Sequence, residues 1–190
     1  MSDLTSPLGG KTAQGYVLVK EIGPVGMITL RCNLADPALA PALAALSMDV
    51  PGVRRMEIDG DRAAGWMSPD ELLLILPYAE VAQALRTLAA KLVSTHHLAQ
   101  DVSDARAVFC IQGAAGREVL AKLCPVDLSP ATFGAGDLRR TRAAQVAAAF
   151  WLSGPDEITL VSFRSVAGYV MAVLEQSSLP GSEIGLFGGA

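Results

Sequence analysis

Two stretches of this chain, Gly65-Trp-Met-Ser-Pro-Asp-Glu-Leu-Leu-Leu-Ile-Leu76 and Phe150-Trp-Leu-Ser-Gly-Pro-Asp-Glu-Ile-Thr-Leu-Val161, carry the same wording: Trp-x-Ser, Pro-Asp-Glu and an apolar run. A repeated pattern of this kind constrains a fold strongly, because each copy has to build the same supersecondary unit. Pro pre-sets φ at the second position of a type I turn and Asp suits the third, so each copy predicts a hairpin tip followed by a strand.

The flanking sequence repeats in the same order. Val25 to Arg31 predicts a strand, Asp36 to Leu46 a short helix capped by Asp36, and 53–58, 62–67 and 71–76 further strands. Pro41 lies about a turn into that helix, which implies a bend or a later start. Val81, Leu85, Leu88 and Leu92 then recur at helical spacing over 78–92. In the second copy, 107–111 predicts a strand and a helix follows Gly113 with Val119, Leu120 and Leu123 inward. Strands are expected at 138–144, 145–152 and 157–163. Ser165 is the expected cap of a last helix that buries Val166, Tyr169, Val170, Val173 and Leu174. Even the wording after the first helix of each copy agrees, Leu46-Ser-Met-Asp-Val-Pro51 against Leu123-Cys-Pro-Val-Asp-Leu-Ser-Pro130.

The expected fold class is therefore α+β: a duplicated strand-helix-strands-hairpin-helix half-domain, with helices packed on an antiparallel or mixed sheet. A length of 190 residues fits one domain. Its expected parts are an N-terminal arm at 1–24, a first half at 25–105, a second half at 106–176 and a C-terminal tail at 177–190, the two ends lacking periodicity.

Composition narrows the function classes. A net charge of -4 and the lack of a Lys/Arg block give no footprint for nucleic acid. No segment reaches the roughly 18 apolar residues that a membrane span needs, and no signal peptide begins the sequence, so a cytoplasmic location is expected. With 51% hydrophobic and 18% charged residues, a globular fold that hides apolar surface in a partner is expected. Cys32, Cys110 and Cys124 read as free thiols, and His96 and His97 as neighbours on a strand facing opposite sides rather than as metal ligands.

Asp70, Glu71, Asp156 and Glu157 invite an acid/base reading, but adjacent carboxylates in a solvated turn are poorly placed around one substrate. Trp66 and Trp151 are either stacking residues or, as equivalent positions of a duplicated hairpin, matching core anchors. Ser103, Ser165 and Cys124 lack an evident orienting His, and Gly134-Ala-Gly136 is no dinucleotide fingerprint, so no catalytic, cofactor-binding or metal-ligating residue is assigned. The candidate contacts for an anion or a partner carboxylate are Arg139, Arg140 and Arg142, with Arg140 and Arg142 on one face of a strand and Arg139 on the other. Arg106 and Arg164 are weaker candidates of the same kind.

Four segments carry a family resemblance: Asp101-Val-Ser-Asp-Ala-Arg-Ala-Val-Phe109, Val119-Leu-Ala-Lys-Leu-Cys-Pro-Val-Asp-Leu128, Arg139-Arg-Thr-Arg-Ala-Ala-Gln-Val146 and Phe163-Arg-Ser-Val-Ala167. Together with the repeated hairpin wording, over about residues 60 to 175, the chain resembles the gamma subunits of bacterial heterotetrameric sarcosine oxidases. The resemblance implies a fold similar to the folate-binding domain of glycine-cleavage aminomethyltransferases. It also implies a part in the oxidative demethylation of sarcosine to glycine, with formaldehyde or methylenetetrahydrofolate and hydrogen peroxide as products. It places FAD, FMN, NAD, zinc and tetrahydrofolate in the alpha, beta and delta partner subunits, and makes this chain a non-catalytic assembly subunit docked mainly on alpha. One departure bears on activity: where aminomethyltransferases carry Gly-Gly and then an Asp-Asp pair, this chain reads Ala144-Gln-Val-Ala-Ala-Ala-Phe-Trp151. A stand-alone folate-binding or one-carbon transfer protein is the alternative, and a homo-oligomer when isolated is a further one.

Overall fold

The structure is a computed structural model that describes residues 5–187. Its tertiary contacts sort the chain into two compact units, residues 24–104 and residues 1–23 with 105–190. The first contains β3 (Gly26–Cys32), α1 (Leu39–Ala44), β4 (Met56–Asp59), β5 (Arg62–Ser68), β6 (Glu71–Leu76), α2 (Val81–Lys91) and β7 (His97–Asp101). The second contains β1 (Thr12–Gln14), β2 (Leu18–Ile22), β8 (Arg106–Gln112), α3 (Gly116–Ala121), β9 (Leu138–Ala143), β10 (Val146–Gly154), β11 (Glu157–Phe163) and α4 (Ala167–Ser177). The class is α+β, and every strand pairing is antiparallel.

The duplication is visible in the strand order. One sheet runs β4-β5-β6-β3-β7 and the other β1-β2-β8-β11-β10-β9, so that β4-β5-β6-β3 corresponds to β9-β10-β11-β8 read backwards. Even single hydrogen bonds recur: the Cys32 N–H donates to the Asp70 carbonyl at 3.1 Å, and the Gly113 N–H to the Asp156 carbonyl at 2.8 Å. Each bond ties a Pro-Asp hairpin tip to the end of the repeat's opening strand. Neither tip has a residue of positive φ, as the type I geometry requires.

One face of each sheet packs on helices. In residues 24–104, Ile28 and Leu30 of β3 and Leu72 and Leu74 of β6 bury against Leu39 and Leu43 of α1 and Val81, Ala84 and Leu88 of α2. In the other unit, Phe109 and Ile111, Leu160 and Phe150 meet Val119 and Leu120 of α3 and Val170, Met171 and Leu174 of α4. The opposite faces are buried as well, at Leu73, Val108, Cys110, Ala149, Trp151 and Val161. Burial on both faces is why these strands read as apolar runs rather than as alternation.

Several expectations are corrected. Helix α1 starts at Leu39, and Pro41 then falls in its first turn, where its missing N–H has no intrahelical partner to lose. Asp36 does not cap the helix: Ala38 stands at the N-cap without a side-chain bond, and Asp36 accepts the Ala38 N–H at 2.8 Å in the turn before it. Ser165 does not cap α4, whose buried stripe is Ala167, Val170, Met171, Leu174 and Ser177, about one position on from the expected one, leaving Tyr169 exposed. Strand β7 begins at His97, so His96 lies outside it.

The residues expected to form an N-terminal arm instead supply two strands. β2 pairs with β8 and buries Val19 and Glu21 completely. Glu21 Oε2 accepts the Ser6 hydroxyl at 2.8 Å and the Gly10 N–H at 2.7 Å, which folds the 6–10 turn over the strand. Correspondingly β7, which leads into the second repeat, pairs with β3 of the first. Each repeat's leading strand thus completes the other repeat's sheet.

The expected tail is also held, through residue 187. Buried Glu118 of α3 accepts the N–H groups of Ile184 at 2.7 Å and Leu186 at 3.2 Å. One turn on, the Lys122 ammonium lies 3.6 Å from Glu118 and donates to the Tyr16 hydroxyl at 3.0 Å and the Ser177 carbonyl at 3.1 Å. A side chain cannot replace Gly15 here, since a Cβ would stand 1.9 Å from the Ser178 carbonyl oxygen. Burial alone would push the Glu118 pKa up, but the backbone donors and Lys122 outweigh it and hold the carboxyl below its usual range.

Two outcomes follow. A chain beginning at Pro24 loses the burial of Val17 and Val19, worth about 1.5–3 kcal/mol each, and uncovers β8. Since a domain's net stability is about 5–15 kcal/mol, its circular dichroism melt should lose its cooperative transition. Glu118→Ala should cost about 3 kcal/mol, as for breaking a buried pair, and expose 179–187 to limited proteolysis. The sign of the pH effect comes from the lowered folded pKa: the Glu118 contribution is full above the unfolded carboxylate value near ~4.3 and is lost as pH falls through the folded value. The proteolysis rate should therefore rise on acidification in the unsubstituted chain and be flat over that range in the variant.

Candidate functional site

Three of the four turn carboxylates, those of Asp70, Glu71 and Glu157, are held in side-chain hydrogen bonds. Arg31, opposite Glu71 on β3, donates to Asp70 at 3.2 Å and Glu71 at 2.9 Å, while the Ser68 hydroxyl donates to Asp70 at 2.6 Å. At the matching position Gln112 donates to Glu157 at 2.9 Å and the Ser153 hydroxyl at 2.8 Å. These bonds, Gln112 first and Ser153 second, hold the Glu157 carboxyl below its ordinary pKa, the opposite of what a general acid needs. The acidic pairs therefore stabilise hairpin ends.

The thiols are no nucleophiles. Burial first and the nearby Glu157 carboxylate second push the Cys110 thiol up to about 12, and burial pushes Cys124 up to about 12. Cys32 is raised too, by burial and then by Asp36. The Ser103 hydroxyl donates to Asp101 at 2.6 Å and accepts the Met27 N–H at 2.9 Å, a strand-end clasp. His96 and His97 line a cavity of about 690 Å³ with Arg31, Cys32 and Asp70. There Arg31 is committed to the carboxylates, and His97 Nδ1 lies 2.9 Å from the Thr95 carbonyl.

The two tryptophans are not equivalent. Ser68 pairs with Glu71, and Gly154, not Ser153, pairs with Glu157, because the second copy has one residue more before its turn. A slip of one residue turns a side chain to the other face of a strand. Trp66 consequently packs on the helix-side core of its unit, whereas Trp151 is buried on the face opposite the helices.

The arginine cluster divides between architecture and surface. All three lie on β9, an edge strand. Arg139 faces the helix side, 5.3 Å from the ring centre of buried Phe133, donates to the Thr132 carbonyl and lies 3.8 Å from Asp137. Phe133 in turn meets Phe150 edge to face at 5.6 Å. Arg140 and Arg142 point to the other face and are exposed, the alternation expected of the strand. That face holds a feature the sequence reading missed. Phe163, 46% exposed, is paired across strands with Arg106, whose guanidinium lies 4.3 Å from its ring centre. The signal was available in the predicted antiparallel pairing of the two strands, but only once their register was known.

A sequence profile of the sarcosine oxidase, gamma subunit family matches residues 31–179. The chain belongs to this family. Over 148 residues it is 32% identical to the sarcosine oxidase subunit gamma of Corynebacterium sp. (strain P-1), covering 76% of this chain and 71% of that one. The subunit gamma of an Arthrobacter species gives the same identity and coverage. In the solved heterotetrameric sarcosine oxidase from Corynebacterium sp. U-96, one chain superposes with a TM-score of 0.79 at 26% identity, over 88% of this chain and 87% of that chain. The glycine cleavage system aminomethyltransferase T from Bartonella henselae superposes at 0.60 with 14% identity, over 90% of this chain and 50% of that one, which shows a common fold. The family match spans both repeats, β9 and Phe163, so the arginine face lies within the family's own domain.

The division within β9 has a measurable consequence. Arg139→Ala should destabilise the chain by about 1–3 kcal/mol, through lost charge-assisted bonds and ring contact. Arg142→Ala should stay within about 0.5 kcal/mol of the parent in urea unfolding.

Proposed function

We propose that the chain is a non-catalytic assembly subunit of a heterotetrameric sarcosine oxidase. The observation that carries this reading is the superposition on a chain of that enzyme over almost the whole length of both, within a shared family. On this reading the chain supports oxidative demethylation of sarcosine to glycine, with formaldehyde or methylenetetrahydrofolate and hydrogen peroxide as products, in the cytoplasm. Its partners are the alpha, beta and delta subunits, alpha above all, and these hold the FAD, FMN, NAD, zinc and tetrahydrofolate.

Site chemistry favours a supporting role. The Glu71 and Glu157 carboxylates that repeat in the sequence are held in hairpin hydrogen bonds, and burial raises the thiol pKa values. On β10, Ala148 packs into the helix-side core and Ala149 is buried on the opposite face, so this stretch supplies close packing and no proton-transferring group. Among the described residues no helix is long and apolar enough to cross a membrane.

Affinity purification of the tagged chain from its own cells should recover flavin-containing subunits in fixed proportion, and deletion of its gene should reduce sarcosine oxidation. Recovery of the chain alone, with unchanged sarcosine oxidation in the deletion strain, would refute the assignment. Calorimetry of the isolated chain with tetrahydrofolate should give no heat of binding; tight binding would favour the folate-binding alternative.

A further inference from the structure

On the face opposite the helices, exposed Arg142, the exposed Phe163 ring and partly buried Arg106 lie in one cross-strand row. Arg142 on β9 is paired with Ala147 on β10. Ala148 is paired with Ser162, and one further step of that register sets Ala147 beside Phe163 on β11. Phe163 is paired with Arg106 on β8, which covers its ring. Directly paired residues of an antiparallel sheet project to the same side, so Arg142, Ala147, Phe163 and Arg106 lie across four neighbouring strands. Ala147 is exposed and small, which leaves a shallow gap between Arg142 and the ring. Arg140 is exposed on the same face, one pair further along β9. At the end of β11, Phe163 also borders a cavity of about 540 Å³ whose other walls are Pro7, Ala105, Arg164 and Ser165.

Both the composition and the position of this row are unusual for the molecule. The chain carries 19 acidic against 15 basic residues, yet Arg106 and Arg142 share one cross-strand row with a half-exposed phenylalanine, and Arg140 lies on the same face. Aromatic residues and arginine are the types enriched at the centres of protein interfaces, where a ring fills a pocket and guanidinium groups take carboxylates in pairs. Lys, which solvates an edge strand at little cost in ordering, is absent from β9.

We propose that the row Arg142–Ala147–Phe163–Arg106 is a docking surface for an acidic segment of a partner subunit. An apolar side chain of that segment packs on Phe163 over Ala147, and a carboxylate pairs with Arg142. Charge complementarity selects this occupant: a guanidinium-rimmed ring repels basic segments and attracts acidic ones. The proposal rests on the assembly reading above and adds the surface and the chemistry of the segment that meets it.

The test uses the full chain, expressed with a tag in its own cells in place of the untagged copy. Phe163→Ser and Arg142→Glu, both at exposed positions, should each reduce recovery of the flavin-containing subunits by about tenfold or more, with the chain's far-ultraviolet spectrum and melt unchanged. Val93→Ser, at another exposed apolar position, should leave recovery as it was. If the unsubstituted chain recovers the subunits and both variants recover them equally well, the surface is wrong while the assembly reading stands. If the unsubstituted chain recovers none, the assembly reading fails and the surface falls with it. A photoreactive phenylalanine analogue at position 163 decides the chemistry: a cross-linked partner peptide bearing Asp or Glu supports the proposal. A peptide without them, a second copy of this chain or nucleic acid overturns it.

Discussion

Everything in the molecule hangs on the antiparallel register between each repeat's opening strand and its hairpin. β3 with β6, and β8 with β11, form the centre of their sheets, and in both the tip of the Pro-Asp turn is tied by its carbonyl to the residue after the last cross-strand pair or at its end. Side chains along a strand alternate with a period of two, so this one backbone bond decides which residues enter the helix-side core and which face the other way. Arg31 and Gln112 occupy the same place opposite Glu71 and Glu157, and each reinforces the tip with a side-chain bond. The repeated acidity is the signature of that lock, different in partner and identical in function.

A second constraint follows from the exchange of leading strands. Because β2 completes the sheet of the second repeat and β7 that of the first, neither repeat is self-sufficient in the order in which the chain runs. The ends of the chain are drawn into the same unit: Glu21 folds the 6–10 turn, and Glu118 with Lys122 holds Tyr16, the end of α4 and residues 182–186. Buried charges are tolerated there because each meets several donors or acceptors at once. On the face opposite the helices, exposed Arg140 and Arg142 lie on edge strand β9, and exposed Phe163 lies at the end of central strand β11.

The fold was legible in the sequence to a large degree and the surface much less so. Duplication, the Pro-Asp turns, the strands and the split of Arg140 and Arg142 from Arg139 all come from local patterns of period two or from turn chemistry. The N-terminal strands were not legible: Thr12–Gln14 and Leu18–Ile22 are short, and Lys20 and Glu21 interrupt the apolar signal. Glu21 enters the core with its Oε2 held by a turn eleven to fifteen residues earlier and its Oε1 left without a partner, a fact with no trace in composition. The equivalence of the tryptophans failed on one inserted residue, which wording hides and register exposes. Phe163 reads as one more apolar strand residue until its neighbours are known.

Taken alone, the sequence determined that two copies of one α+β unit are present, where their hairpins turn, and which family the wording resembles. These are properties of contiguous segments, set by dihedral preferences and periodicity. Tertiary structure alone decided which strand completes which sheet, that Glu118 and Lys122 fasten the tail, that Trp66 and Trp151 face opposite ways, and that Arg142 and Arg106 flank one exposed ring. Those outcomes depend on registers between strands far apart in the chain, and a register is fixed only when all the strands of a sheet have been paired.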